Sequence, residues 1–125
     1  DTLIAEPPGI CTETSSRILT QAIAFSNGRF EIGPLITVVR SGVLKKGLES
    51  DTSEELKIRQ QIYESDIVAI SVAENVDRVC ASNIVHRINP DAEIFFFSSE
   101  TGESVEEIRS VIFSRKVCAR ALYMI

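Results

Sequence analysis

The sequence predicts an α/β domain with a mainly parallel sheet of four or five strands and helices on both faces. Short, β-branched apolar runs of strand length alternate along the chain with segments whose apolar residues recur at helical spacing, the pattern of successive βα units. The runs are also nearly continuous rather than alternating, as in strands covered on both faces. With 125 residues, 44% hydrophobic and 25% charged, the chain fits one core spanning residues 1–125, with enough apolar surface to offset the entropy of ordering it.

Thr2 to Ala5 is a short apolar run that ends at Glu6-Pro7-Pro8-Gly9, where two prolines forbid further pairing. Ile18, Leu19, Ala22, Ile23 and Phe25 then predict a helix over about 14–26, stopped by Asn27-Gly28, which tolerates positive φ. Pro34 to Val39 is the next strand, broken by Ser41-Gly42. Residues 43–52 read as a polar, Lys-rich loop. Thr52 and Glu55 have the spacing of a capping box, opening a helix that places Leu56, Arg59, Ile62 and Tyr63 on one face and ends near Glu64. Asp66 to Ile70 is a buried strand. Val76, Val79, Cys80, Ile84 and Ile88 mark an amphipathic helix that stops before Asn89-Pro90. Ala92 to Phe97 is the last clear strand, and Ser98 to Gly102 leads to a second capping box, Ser104 with Glu107, ahead of Val105, Ile108, Val111 and Ile112. The apolar tail from Val117 to Ile125 reads as an edge strand or a helix end.

No run reaches the roughly 18–20 apolar residues of a membrane span, and no basic-then-apolar leader opens the chain. A net charge of −5 argues against a phosphate backbone as partner, so neither nucleic acid nor membrane is expected. Three widely spaced cysteines, Cys11, Cys80 and Cys118, suit reduced thiols in the cytoplasm. The first residue is Asp1 and enters directly into an apolar stretch, which suggests a chain cut from something longer.

In parallel α/β sheets, ligands gather at the carboxyl ends of the strands. Three such ends carry informative residues: Glu6-Pro7-Pro8-Gly9, then Ile70-Ser71-Val72-Ala73-Glu74, then Phe97-Ser98-Ser99-Glu100-Thr101-Gly102. A carboxylate at Glu6 suits a water-bridged magnesium ion, and Gly9 lets a phosphate approach its N–H. Glu6 and Ser71 lie 65 positions apart, and Arg87-Ile88-Asn89-Pro90-Asp91-Ala92-Glu93-Ile94 precedes the last strand.

In order and spacing these motifs resemble the downstream half of a P-loop GTPase of the CobW/HypB/UreG metallochaperone group, over nearly all of residues 1–115. Gly33-Pro34-Leu35-Ile36-Thr37-Val38-Val39 is similar to a strand of that group, with Arg40 where the group usually has Asp. The resemblance implies a P-loop NTPase-like, Rossmann-like domain binding GTP and magnesium and delivering a metal or cobalt cofactor, in cobalamin-related maturation, to a client enzyme. It further implies that Glu6 holds magnesium, Gly9 senses the γ-phosphate, Ser71 and Glu74 border the base, and Ser98 and Ser99 add backbone to the base pocket. Two departures stand out. Ser71-Val72-Ala73-Glu74 occupies the place of the base-reading Asn-Lys-x-Asp, and no Gly-x-x-x-x-Gly-Lys-[Ser/Thr] occurs. The chain alone is therefore expected neither to hydrolyse GTP nor to bind it tightly, and its partners would be the missing N-terminal portion or a client metalloenzyme.

A second reading, from another class, is a non-catalytic interaction module descended from such a GTPase. A third rests on Phe97-Ser98-Ser99-Glu100-Thr101-Gly102-Glu103-Ser104, which resembles the flavodoxin phosphate loop and implies flavin binding. His86 reads as a helix-end residue, Cys80 as a small hydrophobe on the apolar face, and Cys11 as a packed thiol with an outside role in metal or redox chemistry. Glu100, Glu103, Glu106 and Glu107 suit a helix N-terminus, and Lys45 and Lys46 a solvated loop. The resemblance to the GTPase group places the missing phosphate-loop strand beside Thr2 to Ala5, and the edge this would expose suggests a homodimer or higher assembly, or else coverage by the tail.

Overall fold

A computed structural model describes residues 4, 6, 21, 23–29, 33–72 and 76–114. Within them the order is β1 (Ile36–Arg40), α1 (Ser41–Leu44), α2 (Ser53–Glu64), β2 (Ile67–Ser71), α3 (Arg78–Ile88), β3 (Glu93–Phe97) and α4 (Val105–Ser114). The strands form one parallel sheet in the order β1-β2-β3, the α/β architecture that the alternating periods predict. The expected strand at Thr2 to Ala5 (Ile4 apart), Cys11, Cys118 and the 117–125 tail lie outside the described residues. Gln21, Ile23 and Ala24 are helical, and the chain leaves the helix through Asn27 at φ 54° and Gly28 at φ 80°, as the Asn-Gly stop predicts. Phe25, expected on that helix's apolar face, is 84% exposed.

The register pairs Val39 with Ile70 and Ile70 with Phe96, and Thr37 with Val68 and Val68 with Ile94. These rows share one face because successive side chains alternate. On that face Val39, Val68 and Ile70 join Leu44 of α1, Ile62 of α2 and Ala81, Ile84 and Val85 of α3 in a single buried cluster, with Ile58, Ile88, Ile94 and Phe96 packed against it. On the opposite face Ile67 and Ala69 are also buried, at 1% and 2% exposure, so the central strand is covered on both sides, while Val38 on β1 is 65% exposed.

Several faces differ from the sequence-based expectation. In α2 the buried apolar residue is Ile62, with Ile58 one turn earlier, whereas Leu56 and Tyr63 are about half exposed. In α3 the buried stripe is Ala81, Ile84 and Val85 with Ile88, which puts Val79 at 72% exposure and leaves Cys80 exposed rather than packed. A stripe at i, i+3, i+4 and i+7 is the one a helix can press on a sheet, and beginning it at Ala81 turns residues 79 and 80 outward. The strand ends at Arg40 as Ser41-Gly42 predicts, but the chain turns helical there, and the polar-looking segment 43–52 contributes Leu44 and Leu48, at 1% and 2% exposure.

Thr52 caps α2 as expected, accepting from the Glu55 N–H at 3.4 Å. The second box does not form in the same way. Ser104 has φ 58°, in the left-handed region, whereas an N-cap residue needs extended backbone to aim its hydroxyl at the first turn.

The amino ends of the strands are closed by polar contacts. Asn89, fully buried, donates to the carbonyls of Ile62 at 3.0 Å, Tyr63 at 3.3 Å and Ser65 at 2.8 Å, and its Oδ1 accepts from the Asp91 N–H at 3.2 Å. The Leu35 N–H donates to the Asp66 carboxylate at 2.9 Å, and the Thr37 and Ser65 hydroxyls lie against each other and the Gln61 carbonyl, so that one donates to the carbonyl and the other to its neighbouring hydroxyl. His86 meets the Ala92 carbonyl through Nε2 at 3.1 Å, as a helix-end histidine would.

Candidate functional site

The parallel register brings Arg40, Ser71 and Phe97 abreast at the carboxyl ends of β1, β2 and β3. The Val72 N–H donates to the Phe97 carbonyl at 2.9 Å, which carries the β2–β3 ladder one residue further. Beyond these ends the loops and helix starts surround an open cleft of about 1480 Å³. One wall comes from β1 and the segment after it, through Arg40, Ser41, Lys46 and Leu48; a second comes from the start of α2, through Thr52, Glu54 and Glu55. Ser71, Val72 and Arg78 form the middle, and Ser98, Ser99, Glu100, Thr101 and Glu103 the far side.

Each wall has a local cause. The segment before α2 is held by Arg59, which donates to the carbonyls of Leu48 and Ser50, the latter at 2.8 Å. Leu48 itself takes φ 52°, a costly backbone for a branched side chain, and its full burial holds it there. On the far side, the β3–α4 loop folds on itself. The Thr101 N–H donates to Ser98 Oγ at 3.3 Å, the Gly102 N–H to the Ser98 carbonyl at 2.9 Å, and the Glu103 N–H to Thr101 Oγ1 at 3.3 Å. Gly102 reaches φ 78°, which a Cβ would disfavour. Arg78 joins this loop to the start of α3, pairing with Glu103 at 2.7 Å and lying over the Phe96 ring at 5.2 Å.

Of the residues the sequence singles out, Ser71, Ser98 and Ser99 come together in this cleft, half-buried, buried and exposed respectively. Glu6 is exposed and does not line it; Gly9 and Glu74 lie outside the described residues. Among the described residues no group of three or more His, Cys, Asp or Glu side chains is placed to hold a metal ion. No family model, curated protein or solved structure matches the chain. The function of the cleft therefore has to be argued from its own side chains.

Sequence reasoning missed Arg40, Lys46, Thr52 and Arg78 as cleft residues. Arg40 was legible only as a departure at a strand end, and Lys46 only as a loop cation. What unites them is convergence in space, to which linear spacing is blind. The three amides that the β3–α4 loop turns inward also bear on the flavodoxin likeness, because a phosphate loop must leave its N–H groups free for the anion. No helix among the described residues is long and apolar enough to cross a membrane.

Proposed function

We propose that this chain is the base-side part of a P-loop NTPase-like, GTPase-type nucleotide-binding domain similar to the CobW group, catalytically inert by itself and acting in metal or cobalt-cofactor delivery together with a portion that supplies the phosphate loop. The observation that carries the reading is the meeting of Ser71 with Ser98 and Ser99 in one cleft at the carboxyl ends of parallel strands, where α/β sheets bind their ligands. Hydroxyls and backbone at that position suit the hydrogen-bonding edge of a base or a ribose. Inertness follows from chemistry that the sequence lacks: the phosphate-loop lysine, its magnesium-binding hydroxyl and its backbone nest are the groups that together stabilise charge on a transferring phosphoryl group.

The test is a GTP hydrolysis assay paired with amide chemical-shift titrations of the chain with guanosine, GDP and adenosine. No hydrolysis is expected, and guanosine and GDP should perturb the amides of Ser71, Ser98 and Ser99 weakly but saturably. A second reading, a non-catalytic interaction module, is favoured by Val72, which has no polar group to offer a base, and by the inward-turned amides of the β3–α4 loop. If no nucleoside or nucleotide moves the three serine amides, the nucleotide reading fails and the module reading stands.

A further inference from the structure

We infer that Arg40 anchors a phosphoryl group of the cleft's ligand, so that the ligand lies across the sheet with its anion at the β1 end and its neutral, hydrogen-bonding end by Ser98 and Ser99. The inference rests on the nucleotide reading for the ligand's neutral end only; the anion site stands on Arg40 itself. Arg59, Arg78, Arg87 and Arg109 each face a carboxylate, at 4.0, 2.7, 3.0 and 3.8 Å. In an acidic chain, most exposed arginines find such a partner. Arg40 lines the cleft, is exposed, and its side chain has no ion pair or hydrogen bond among the described residues. Lys46 lines the same wall, also without an ion pair among the described residues.

The charges across the cleft are polarised along the sheet. Arg40 stands at the end of β1, half-buried Ser71 beside it on β2, and Glu100 and Glu103 follow β3. Glu103 is taken up by Arg78, which leaves Glu100 to repel an anion from the far side. Glu54 and Glu55, on the α2 wall, are the acidic groups that an anion near Arg40 must tolerate, with Lys46 beside Arg40 to offset them. Parallel strands lie about 4.8 Å apart, so the two ends of this row are separated by roughly 10 Å, the order of length of a nucleoside carrying one phosphoryl group. A planar guanidinium offers two parallel donors to a phosphoryl group, which an aspartate at this position would repel.

The experiment is an amide chemical-shift titration of the whole chain at low ionic strength with pyrophosphate, GDP and guanosine, against wild type, Arg40→Gln, Arg40→Lys and, as a control cation outside the cleft, Arg29→Gln. Saturable pyrophosphate binding around residues 40–42, in the roughly millimolar range of a charge-assisted pair, is expected. Arg40→Gln should weaken pyrophosphate and GDP about tenfold, with Arg40→Lys intermediate, and leave guanosine unchanged. Pyrophosphate binding that survives Arg40→Gln, falls equally with Arg29→Gln, or never saturates overturns the inference. If GDP and guanosine bind but ignore Arg40, the inference fails and the nucleotide reading survives; if pyrophosphate depends on Arg40 while guanosine does not bind, the anion site stands and the nucleotide reading fails. Unchanged amide dispersion in Arg40→Gln, expected because its side chain makes no hydrogen bond or ion pair among the described residues, separates lost binding from lost fold.

Discussion

The two ends of the sheet make opposite use of polar side chains. At the amino ends, Asn89, Ser65, Thr37 and Asp66 turn inward and satisfy backbone groups that the strand and helix ends leave open. At the carboxyl ends, Arg40, Lys46, Ser71 and Ser99 stand in an open cleft, where their polar groups remain available to something else. Buried polar groups must be paired because an unpaired one costs free energy with no water to offset it, whereas exposed ones carry no such constraint. One end is thus committed to stability, and the other is free of that commitment.

That contrast is broken most directly at the closed end. Ile62→Ala, which empties a fully buried site between α2 and the sheet, should lose about 3–4 kcal/mol in urea unfolding; a loss under about 1 kcal/mol would mean that the helix does not rely on this contact. Asn89→Ala should cost about 3 kcal/mol by the same measurement, because it leaves the Ser65 carbonyl without its Asn89 donor and Ile62's with only the Ser65 N–H. Asn89→Asp should not rescue it, since a carboxylate cannot donate to them.

Changes nearer the cleft should be milder and tell the two ends apart. Thr52→Ala removes the α2 cap and should cost about 1 kcal/mol. Arg78→Ala breaks an ion pair whose two side chains are 48% and 41% exposed, and should cost under about 1 kcal/mol while loosening the β3–α4 loop, read as faster amide exchange at Thr101 and Gly102. Smallest of all, Ser99→Ala should stay within about 0.5 kcal/mol of wild type while changing the response to guanosine. A large stability loss at Ser99 would erase the distinction between the ends.

The alternation of strand-like and helix-like periods determined the α/β class and placed β1, β2, β3, α3 and the start of α2 to within one or two residues, because each depends on a local run of apolar residues or on a cap a few positions away. Local chemistry also carried the Asn27-Gly28 stop, the Thr52 cap and the helix-end role of His86. Only the tertiary structure decided which side of each helix is buried. Val79, Cys80, Leu56 and Tyr63 are as apolar as their buried neighbours, and the sheet they meet chooses among overlapping stripes. It likewise decided that Leu44 and Leu48, set among lysines and glycine, belong to the core, and that Asn89 is a buried hub besides ending a helix. The cleft is tertiary in the same sense: Arg40, Ser71 and Ser98 are separated by 31 and 27 positions in the chain and become neighbours only when the parallel register sets three strand ends side by side.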